Sequence, residues 1–356
     1  MNAEVESRTT VNAVIVDRPR GGDVEIRYER IPTPRPGEGE VLVEPCFIGV
    51  CGSDLELVAG HSDDDFPIEY PHILGHEWSG IVVEAGAGVP GLSPGQLVVG
   101  HGSLGGNRWF GVTHDGAMAD RFVVPAAMCF PVPEGITAQQ AAMIEPLACV
   151  LHGLQHVGGA DASHTAVVFG CGTLGLAMVA LLASTGATVV AVDPSEQRRG
   201  LAERLGAEVA FDAGDGAALL ERIQERLGVP GADLVVEASG AAAAQVAALE
   251  VTALGARVLL MGLASAVAER APLRLIQARL LRVATSVGAP AEVWPAALRL
   301  MRRTGLDLTA AVSDVFGFAQ CREALTAAAR PGTTGKVMLR PTVGAEATGD
   351  ATASSF

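Results

Sequence analysis

Apolar residues follow two different patterns along the chain, and the change between them divides it into regions. From Val11 to about Val132, short apolar runs alternate with glycine, proline and polar residues, as in VNAVIV, SGIVVEAG and DRFVVP. Runs of this kind are typical of short strands joined by turns. We therefore predict an all-β, barrel-like region at the start of the chain.

Helical patterns begin after this β region. Thr137 and Gln140 form a T-x-x-Q capping box, and Glu145 followed by Pro146 suits the first turn of a second helix. From residue 165 to about 288, strands and helices alternate. This alternation predicts βαβ units and an α/β fold with a doubly wound parallel sheet.

The end of the chain returns to a mixed pattern. Residues 291–343 are predicted to hold an amphipathic helix, a strand-turn segment, a second helix and the strand GKVMLRP. Residues 1–10 and 344–356 are predicted to be flexible tails.

A glycine-rich loop follows the first strand of the alternating region. Gly170, Gly172 and Gly175 have G-x-G-x-x-G spacing between the strand TAVVF and an apolar helical pattern. The first permits a tight turn, the second lets a pyrophosphate approach the backbone, and the third lets the helix pack on the strand. Thr173 and Leu174 lie at the helix N-terminus, where free N–H groups favour phosphate. The loop therefore predicts a dinucleotide site.

Asp193 ends the second strand of this unit and selects the cofactor. Its carboxylate can accept hydrogen bonds from the adenosine ribose hydroxyls and would repel the 2′-phosphate of NADP. We therefore predict NAD, although Arg198 and Arg199 leave NADP open. Ser239 and Gly262 follow later strands, and they are predicted to line the nicotinamide half because ligands bind at the carboxyl ends of parallel strands.

Composition narrows the classes of protein that this chain can represent. Its 356 residues suggest two domains, and 49% hydrophobic with 18% charged residues indicate a compact fold. A formal charge of −15 argues against nucleic acid and anionic membranes as partners. The six cysteines contain no C-x-x-C pair, and neither a signal peptide nor a transmembrane run is apparent. We therefore expect a cytoplasmic protein with free thiols.

Two glycine-flanked turns in the β region carry metal-binding residue types. The first, GVCGSD, contains Cys51, Ser53 and Asp54, and the second, LGHEWSG, contains His76 and Glu77. A thiolate and an imidazole suit zinc, and a catalytic zinc keeps one position open for water or substrate. Each residue alone also has a structural interpretation, Cys51 as a small buried apolar residue and His76 as a hydrogen-bonding one.

The order of the motifs resembles that of one known family. The β region with C-G-S-D and G-H-E, then E-P-L, then the glycine-rich loop is similar to the medium-chain, zinc-dependent alcohol dehydrogenase superfamily. Within it the chain resembles the polyol branch of sorbitol, threonine and cyclitol dehydrogenases. The resemblance implies a GroES-like, β-rich catalytic domain over 11–157 and 291–343. It also implies an NAD-binding Rossmann domain over 158–290.

The resemblance implies roles for individual residues as well. Cys51 and His76 would bind a catalytic zinc ion. Glu77 would be a ligand or a carboxylate close to the metal. Glu145 would be the remaining ligand or would hold the zinc-bound water. Asp54 would orient His76 and fix its tautomer.

Catalysis in such a family also needs a route for the proton. The resemblance implies that Ser53 receives the proton of the substrate hydroxyl while a hydride moves to the nicotinamide. Several relatives end this relay on a histidine where the chain has Glu56, so the exit route stays open. Many relatives also carry four closely spaced cysteines for a structural zinc, but Val99–Asp120 contains none. We therefore predict one zinc per chain.

These observations favour an NAD-dependent zinc dehydrogenase that oxidises a secondary alcohol, such as a polyol, a cyclitol or a hydroxylated metabolite, to a ketone. The alternatives are a zinc-free, NADPH-dependent quinone or enoyl reductase of the same fold and a non-catalytic nucleotide-binding protein. The resemblance also implies a homodimer or homotetramer paired through the nucleotide domain.

The substrate pocket follows no recognisable motif, and we expect it to form from segments near 55–66, 104–113 and 285–294. The acidic run at 63–65 is predicted to be a solvated loop. Four histidines without a partner motif are assigned to the surface or to packing: His101, His114, His152 and His156.

Overall fold

The computed structural model describes residues 10–18, 23–60, 68–106, 108–214, 216–263, 271–330 and 335–341. The predicted tails fall outside these ranges except for Thr10, which begins the first strand, and the acidic run at 63–65 also falls outside them.

Strands and helices are distributed along the whole described chain. The strands are β1 (Thr10–Asp17), β2 (Glu25–Pro32), β3 (Glu40–Gly49), β4 (His72–Ile73), β5 (Glu77–Ala85), β6 (Leu97–Gly100), β7 (Ser103–Gly105), β8 (Arg108–Trp109), β9 (Phe122–Pro125), β10 (Cys129–Pro131), β11 (Thr165–Phe169), β12 (Thr188–Val192), β13 (Val209–Phe211), β14 (Ala232–Glu237), β15 (Thr252–Leu260), β16 (Arg282–Thr285), β17 (Val312–Gly317) and β18 (Lys336–Arg340). The α-helices are α1 (Gly52–Val58), α2 (Ala138–Ala142), α3 (Ile144–His156), α4 (Thr173–Ser184), α5 (Glu196–Arg204), α6 (Gly216–Leu227), α7 (Ala242–Glu250), α8 (Arg274–Ala278), α9 (Trp294–Thr304) and α10 (Cys321–Ala329). Among these described helices, none combines the length and hydropathy that crossing a bilayer requires.

The first region of the chain is β-rich, as predicted. One sheet has the order β10-β6-β5-β3-β18-β17, with β9 also paired to β3, and β2, β1 and β4 form a second sheet. Trp78 on β5 is buried and packs edge-on against Phe122, with ring centroids 4.9 Å apart. Because β17 and β18 complete the larger sheet, the end of the chain packs with its beginning.

The middle of the chain forms a six-stranded parallel sheet in the order β13-β12-β11-β14-β15-β16. Every residue of β11 is buried, as a parallel strand covered on both faces requires. The strand order reverses between β11 and β14, so a crevice for a ligand lies at their carboxyl ends. The predicted doubly wound sheet is confirmed.

Two helices link the sheets, and the capping box at the start of the first is confirmed. The Thr137 hydroxyl accepts from the Gln140 N–H at 3.2 Å, and the Gln140 side chain accepts from the Thr137 N–H at 2.9 Å. The second helix, α3, begins at Ile144 and packs against α4 and α9. It therefore carries Glu145 into the region between the two large sheets.

The structure differs from the sequence-based elements in two places that matter for the site. The segment around Cys51, predicted as a turn, runs into helix α1, because the Asp54 carboxylate accepts from the Cys51 N–H at 2.9 Å and closes the first helical turn. Strand β16 was not predicted. It lies at the sheet edge with Arg282, Val283 and Thr285 exposed, so it lacks the apolar run of a buried strand.

Candidate active site

Three side chains of metal-binding type meet between β3, α1 and β5. The Cys51 sulfur, a ring nitrogen of His76 and a carboxylate oxygen of Glu77 all lie within 4.8 Å of one another. Cys51 precedes α1, and Glu77 is the first residue of β5. Gly49 on β3 pairs with Glu77, so the strand pairing brings the two motifs together.

Gly49 leaves the space that the Glu77 carboxylate occupies. A Cβ atom at this position would lie 2.2 Å from Glu77 Oε2. A larger residue at position 49 would therefore displace the carboxylate from the cluster.

Lys336, which the sequence analysis missed, completes this cluster. Its Nζ lies 2.8 Å and 2.6 Å from the two Glu77 carboxylate oxygens and donates to the Val50 carbonyl at 2.9 Å. Both charged side chains are buried. Burial favours the neutral amine, but the negative charges of Glu77 and Cys51 outweigh it and hold the pKa of Lys336 above its usual value. Burial likewise opposes ionisation of Glu77, yet Lys336 lowers the pKa of this carboxyl group.

The sequence does contain a signal for this residue. Of the 25 basic residues, 24 are arginines, and Lys336 is the one lysine of the chain. An ammonium group is a compact point charge, whereas a guanidinium group is a broad planar fork. A single lysine in an arginine-rich sequence therefore marks a position where size and shape of the cation matter.

The His76 ring lies between two residues of the C-G-S-D motif. Ser53 Oγ is 3.5 Å from Nε2, and Asp54 Oδ1 is 3.8 Å from Nδ1. Within the described residues, the buried Asp54 Oδ1 and His76 Nδ1 have no hydrogen-bond partner. Burial alone would lower the pKa of His76, but the negative charges of Cys51 and Asp54 raise it well above the usual value. The site thus surrounds an imidazole with anionic groups.

Glu145 lies beside the three-residue cluster and not within it. Its Oε1 accepts a hydrogen bond from the Cys149 thiol at 3.1 Å. Desolvation and the nearby Glu77 charge raise the pKa of Glu145. The two carboxyl groups therefore differ: Glu77 is ion-paired to Lys336, whereas Glu145 has a raised pKa and no such counter-charge within the described residues.

This donor set fits a zinc ion. Thiolate, imidazole and carboxylate are the side-chain ligands of zinc, and three ligands of a tetrahedral zinc lie about 3.3–3.8 Å apart. The 4.8 Å span needs only small side-chain shifts to reach that spacing. In the part of the chain that the structure describes, no other group of three such residues lies this close together.

Two departures from the resembled family are also visible. Residues 99–120 contain the short β7–β8 pair and no cysteine, and all six cysteines of the chain are free thiols. A single zinc per chain stays a prediction. Glu56 is exposed on α1, and the proton exit route also stays open.

The glycine-rich loop joins β11 to α4. Gly170 has φ of +84°, and a Cβ there would lie 2.7 Å from the Ser239 side chain, so the turn needs glycine. A Cβ at Gly175 would lie 1.7 Å from the Gly170 carbonyl oxygen, which shows how closely the helix approaches the loop. Gly172, in contrast, caps α4 and faces open space. A phosphate can approach the Thr173 and Leu174 N–H groups through that space.

Asp193 follows β12 and lies against the glycine-rich loop. Its carboxylate accepts from the N–H groups of Cys171 and Ser195, each at 2.8 Å. Arg198 Nη1 is 3.8 Å from this carboxylate, and Arg199 donates to the Asp193 carbonyl at 2.8 Å. A carboxylate has about four acceptor positions, so two stay available for ribose hydroxyls. Asp193 is only 2% exposed, so its carboxylate is buried against the glycine-rich loop.

Glu237, at the end of β14, is a second residue that the sequence analysis missed. Its carboxylate accepts from the Ser239 N–H at 2.8 Å, the Ser239 hydroxyl at 2.5 Å and the Gly240 N–H at 3.0 Å. A Cβ on Gly262 would lie 2.1 Å from the Gly240 nitrogen. Glu237 therefore connects the loops that are predicted to line the nicotinamide site. No sequence motif indicated this role.

Two of the three expected pocket segments, 104–113 and 285–294, meet where Trp109 approaches Gly288. His101 lies near Trp294, with ring centroids 6.4 Å apart, and Trp109 lies against Gly102 and Gly288. Leu55 on α1 belongs to the third segment, of which residues 61–66 lie outside the described ranges.

Comparison with known proteins agrees with this site. Residues 37–134 match the family model of the alcohol dehydrogenase GroES-like domain, and residues 173–303 match that of the zinc-binding dehydrogenases. The chain belongs to the zinc-dependent, medium-chain alcohol dehydrogenase superfamily, in its polyol branch, and is an oxidoreductase. The predicted GroES-like and Rossmann folds are confirmed.

Two relatives and one solved structure show how far the similarity extends along the chain. Human sorbitol dehydrogenase is 28% identical over 324 residues, covering 85% of this chain and 89% of the relative. D-xylulose reductase A of Aspergillus niger is 34% identical over 239 residues, covering 61% and 66%. The crystal structure of 2R,3R-butanediol dehydrogenase from Bacillus subtilis has a TM-score of 0.83 at 26% identity, covering 93% of this chain and 99% of that one.

Proposed function

We propose that this protein oxidises a secondary hydroxyl group of a polyol to a ketone, with zinc and NAD as cofactors. The observation that carries the proposal is the buried cluster of Cys51, His76 and Glu77, which combines zinc ligands with nearby acid–base groups. Relatives named for sorbitol, D-xylulose and butanediol support a substrate with several hydroxyl groups.

Cys51, His76 and Glu77 would hold the zinc ion, which when bound supplies a Lewis acid that lowers the pKa of an alcohol. Glu145 would hold a water molecule or the substrate hydroxyl beside the metal. Its position outside the three-residue cluster supports that role over direct ligation. Lys336 would neutralise Glu77 and fix its orientation.

Ser53 would relay the proton of the substrate hydroxyl, accepting it while its own hydroxyl proton passes on toward solvent. Its hydroxyl group lies 3.5 Å from His76 Nε2, at the edge of the cluster. Asp54 would fix the His76 tautomer through Nδ1. Ser239 and Gly262 would line the site of the nicotinamide, which when bound supplies the hydride acceptor.

A substrate panel tests the proposed function. We expect NAD reduction with at least one of xylitol, sorbitol and butane-2,3-diol, with kcat/KM at least about tenfold above that for butan-2-ol, since a site built for hydroxyl groups rejects a substrate lacking them. Absorbance at 340 nm measures the reaction. Reduction of a quinone by NADPH with no turnover of any polyol would contradict the proposal.

NAD is proposed over NADP because of the Asp193 carboxylate. We expect kcat/KM for NAD to exceed that for NADP by about 100-fold, since the carboxylate would repel a 2′-phosphate. Asp193→Asn keeps an acceptor for the Cys171 N–H and removes the charge, so this ratio should fall at least about tenfold. Arg204→Gln, at the far end of α5, serves as the control. An unchanged NAD to NADP ratio in the Asp193 variant would refute this role.

We propose a homodimer formed through the edge strand β16, whose outer edge has no strand partner in the described fold. Large apolar side chains around this edge are exposed: Leu254, Leu263, Leu273, Leu280, Val283 and Val287. An apolar patch at an unpaired sheet edge is typical of an interface.

A charge at this edge tests the dimer. Val283→Lys is expected to give a monomer by light scattering, because an ammonium group would be buried without a partner. Val315 provides a matched control, since it is also an edge-strand valine and is 40% exposed against 41% for Val283. A Val283→Lys dimer, or dissociation caused equally by Val315→Lys, would refute the proposed interface.

We further propose that residues 11–157 and 291–343 form the catalytic domain, that 158–290 bind the nucleotide, and that the protein is cytoplasmic. The shared sheet of β3 and β18 supports the first boundary, and the free state of the six thiols supports the last point.

A further inference from the structure

His101, which the sequence analysis assigned to packing or the surface, is buried directly after β6. Its N–H donates to the Met128 carbonyl at 3.1 Å and continues the backbone of β6. On the other side β6 pairs with β5, with Ser79 opposite Val99. Continued past Gly100, where β6 ends, this antiparallel register would bring His101 opposite Glu77. Residues opposite each other in such a pair project from the same face, so the imidazole shares a face with the Glu77 carboxylate.

This face points toward the helices that carry the other acidic group of the site. The Ser79 hydroxyl, on the same face, donates to the Ala138 carbonyl of α2 at 2.6 Å. Val99 packs in the core that includes Ile144 and Leu147 of α3. His101 therefore lies in the space between the β-rich sheet and the helix that begins beside Glu145.

The hydrogen bonding of His101 fixes its tautomer. The Ser103 N–H donates to Nδ1 at 3.2 Å, so the proton of a neutral ring is on Nε2. The ring is 7% exposed, and its burial lowers the pKa of His101 and keeps it neutral. Among the described residues, none forms a hydrogen bond with His101 Nε2. His101 thus presents a single N–H donor with a fixed orientation.

Apolar surfaces surround this donor. Phe130 and Trp294 lie 6.0 Å and 6.4 Å from the His101 ring and stack on each other at 13°. The Trp294 Nε1–H lies in the same aromatic group and is buried, without a partner in the described part of the chain. Leaving a buried N–H donor unpaired is unfavourable, so a ligand oxygen bound in this space would be stabilised by hydrogen bonds.

We propose that His101 determines specificity for polyols by donating its Nε2–H to a hydroxyl group next to the one that is oxidised. This inference rests on the proposed function. A monohydric alcohol offers no acceptor there and leaves the donor unpaired, whereas a vicinal diol satisfies it. The aromatic rings would pack against the carbon chain of the substrate.

Three variants test this role. His101→Phe keeps an aromatic ring and removes the donor, His101→Gln keeps an N–H, and His164→Gln alters a histidine in the loop before β11. We expect His101→Phe to raise KM for the best polyol of the panel by about 10- to 100-fold, with kcat and the KM for butan-2-ol within about twofold. His101→Gln should recover most of the loss, and His164→Gln should behave as wild type.

Calorimetric titration of the NAD-loaded protein with xylitol and with sorbitol separates this inference from the proposed function. If the wild-type protein binds a polyol but reduces no NAD, the proposed function fails. In that case, a polyol Kd raised about 10- to 100-fold in His101→Phe still supports His101 as a residue that binds the polyol. Equal losses on polyol and butan-2-ol, an unchanged polyol affinity in His101→Phe, or no polyol binding by wild type would each overturn the inference.

Discussion

Replacing Cys51 with alanine is expected to empty the metal site and lower kcat/KM for polyols by about 1,000-fold or more. The variant removes the one thiolate of the cluster, and two remaining ligands hold zinc poorly. Elemental analysis should find less than about 0.1 zinc per chain, while far-ultraviolet circular dichroism stays unchanged because no large side chain is lost.

Cys46 provides the matched control for this variant. It lies on β3, five residues before Cys51, and is likewise partly exposed. Burial and Glu44 raise the pKa of its thiol to about 11, so it carries no thiolate at neutral pH. Cys46→Ala should therefore retain zinc and activity. Full activity in zinc-free Cys51→Ala protein would instead favour the zinc-free reductase alternative.

Lys336→Met is expected to be the most destabilising single change at the site. It leaves the Glu77 carboxylate buried without a counter-charge, which costs about 3–5 kcal/mol in the free energy of unfolding. Urea denaturation of the metal-free protein measures this loss. Added zinc should restore part of it, because a metal ion replaces the missing positive charge.

Two further variants separate charge from shape. In the Glu77→Gln and Lys336→Met double variant no buried charge is left unpaired, so the loss of stability should be smaller than in Lys336→Met alone. Lys336→Arg keeps the charge but places a larger group where Nζ contacts both Glu77 oxygens and the Val50 carbonyl. We expect it to lower zinc content and activity. A double variant that is destabilised as much as Lys336→Met alone would contradict the ion-pair account. A fully active Lys336→Arg would also contradict it.

The sequence predicted the features that depend on local patterns. The capping box at Thr137, the turn at Gly170 and the alternating strands and helices each arise from residues close together in the chain. The pairing of Cys51 with His76 was also anticipated, but through resemblance to a family. The physical cause, Gly49 opposite Glu77 on paired strands, became visible only in the structure.

Contacts between distant segments could not be predicted in the same way. Lys336 reaches Glu77 across 259 positions, and no pattern in GKVMLRP reveals its partner. His101 follows an ordinary apolar strand, and only the register of β5 and β6 places it near the cluster. Strand β16 was not predicted, because an exposed edge strand does not need a run of apolar residues.

The predicted cofactor-binding residue Asp193 shows the same difference between local patterns and long-range contacts. The spacing of Asp193 after the glycine-rich loop was sufficient to predict its position. Its contacts with the Cys171 and Ser195 N–H groups were not predictable, because they depend on the fold of the loop. These contacts give the carboxylate a structural role besides the one proposed toward ribose.

The zinc dependence of polyol oxidation tests the central claim most directly. Purified protein should contain one zinc per chain by elemental analysis. Incubation with a chelator should lower NAD reduction in proportion to the zinc removed, and added zinc should restore it. Undiminished polyol oxidation by protein stripped of its zinc would contradict the account.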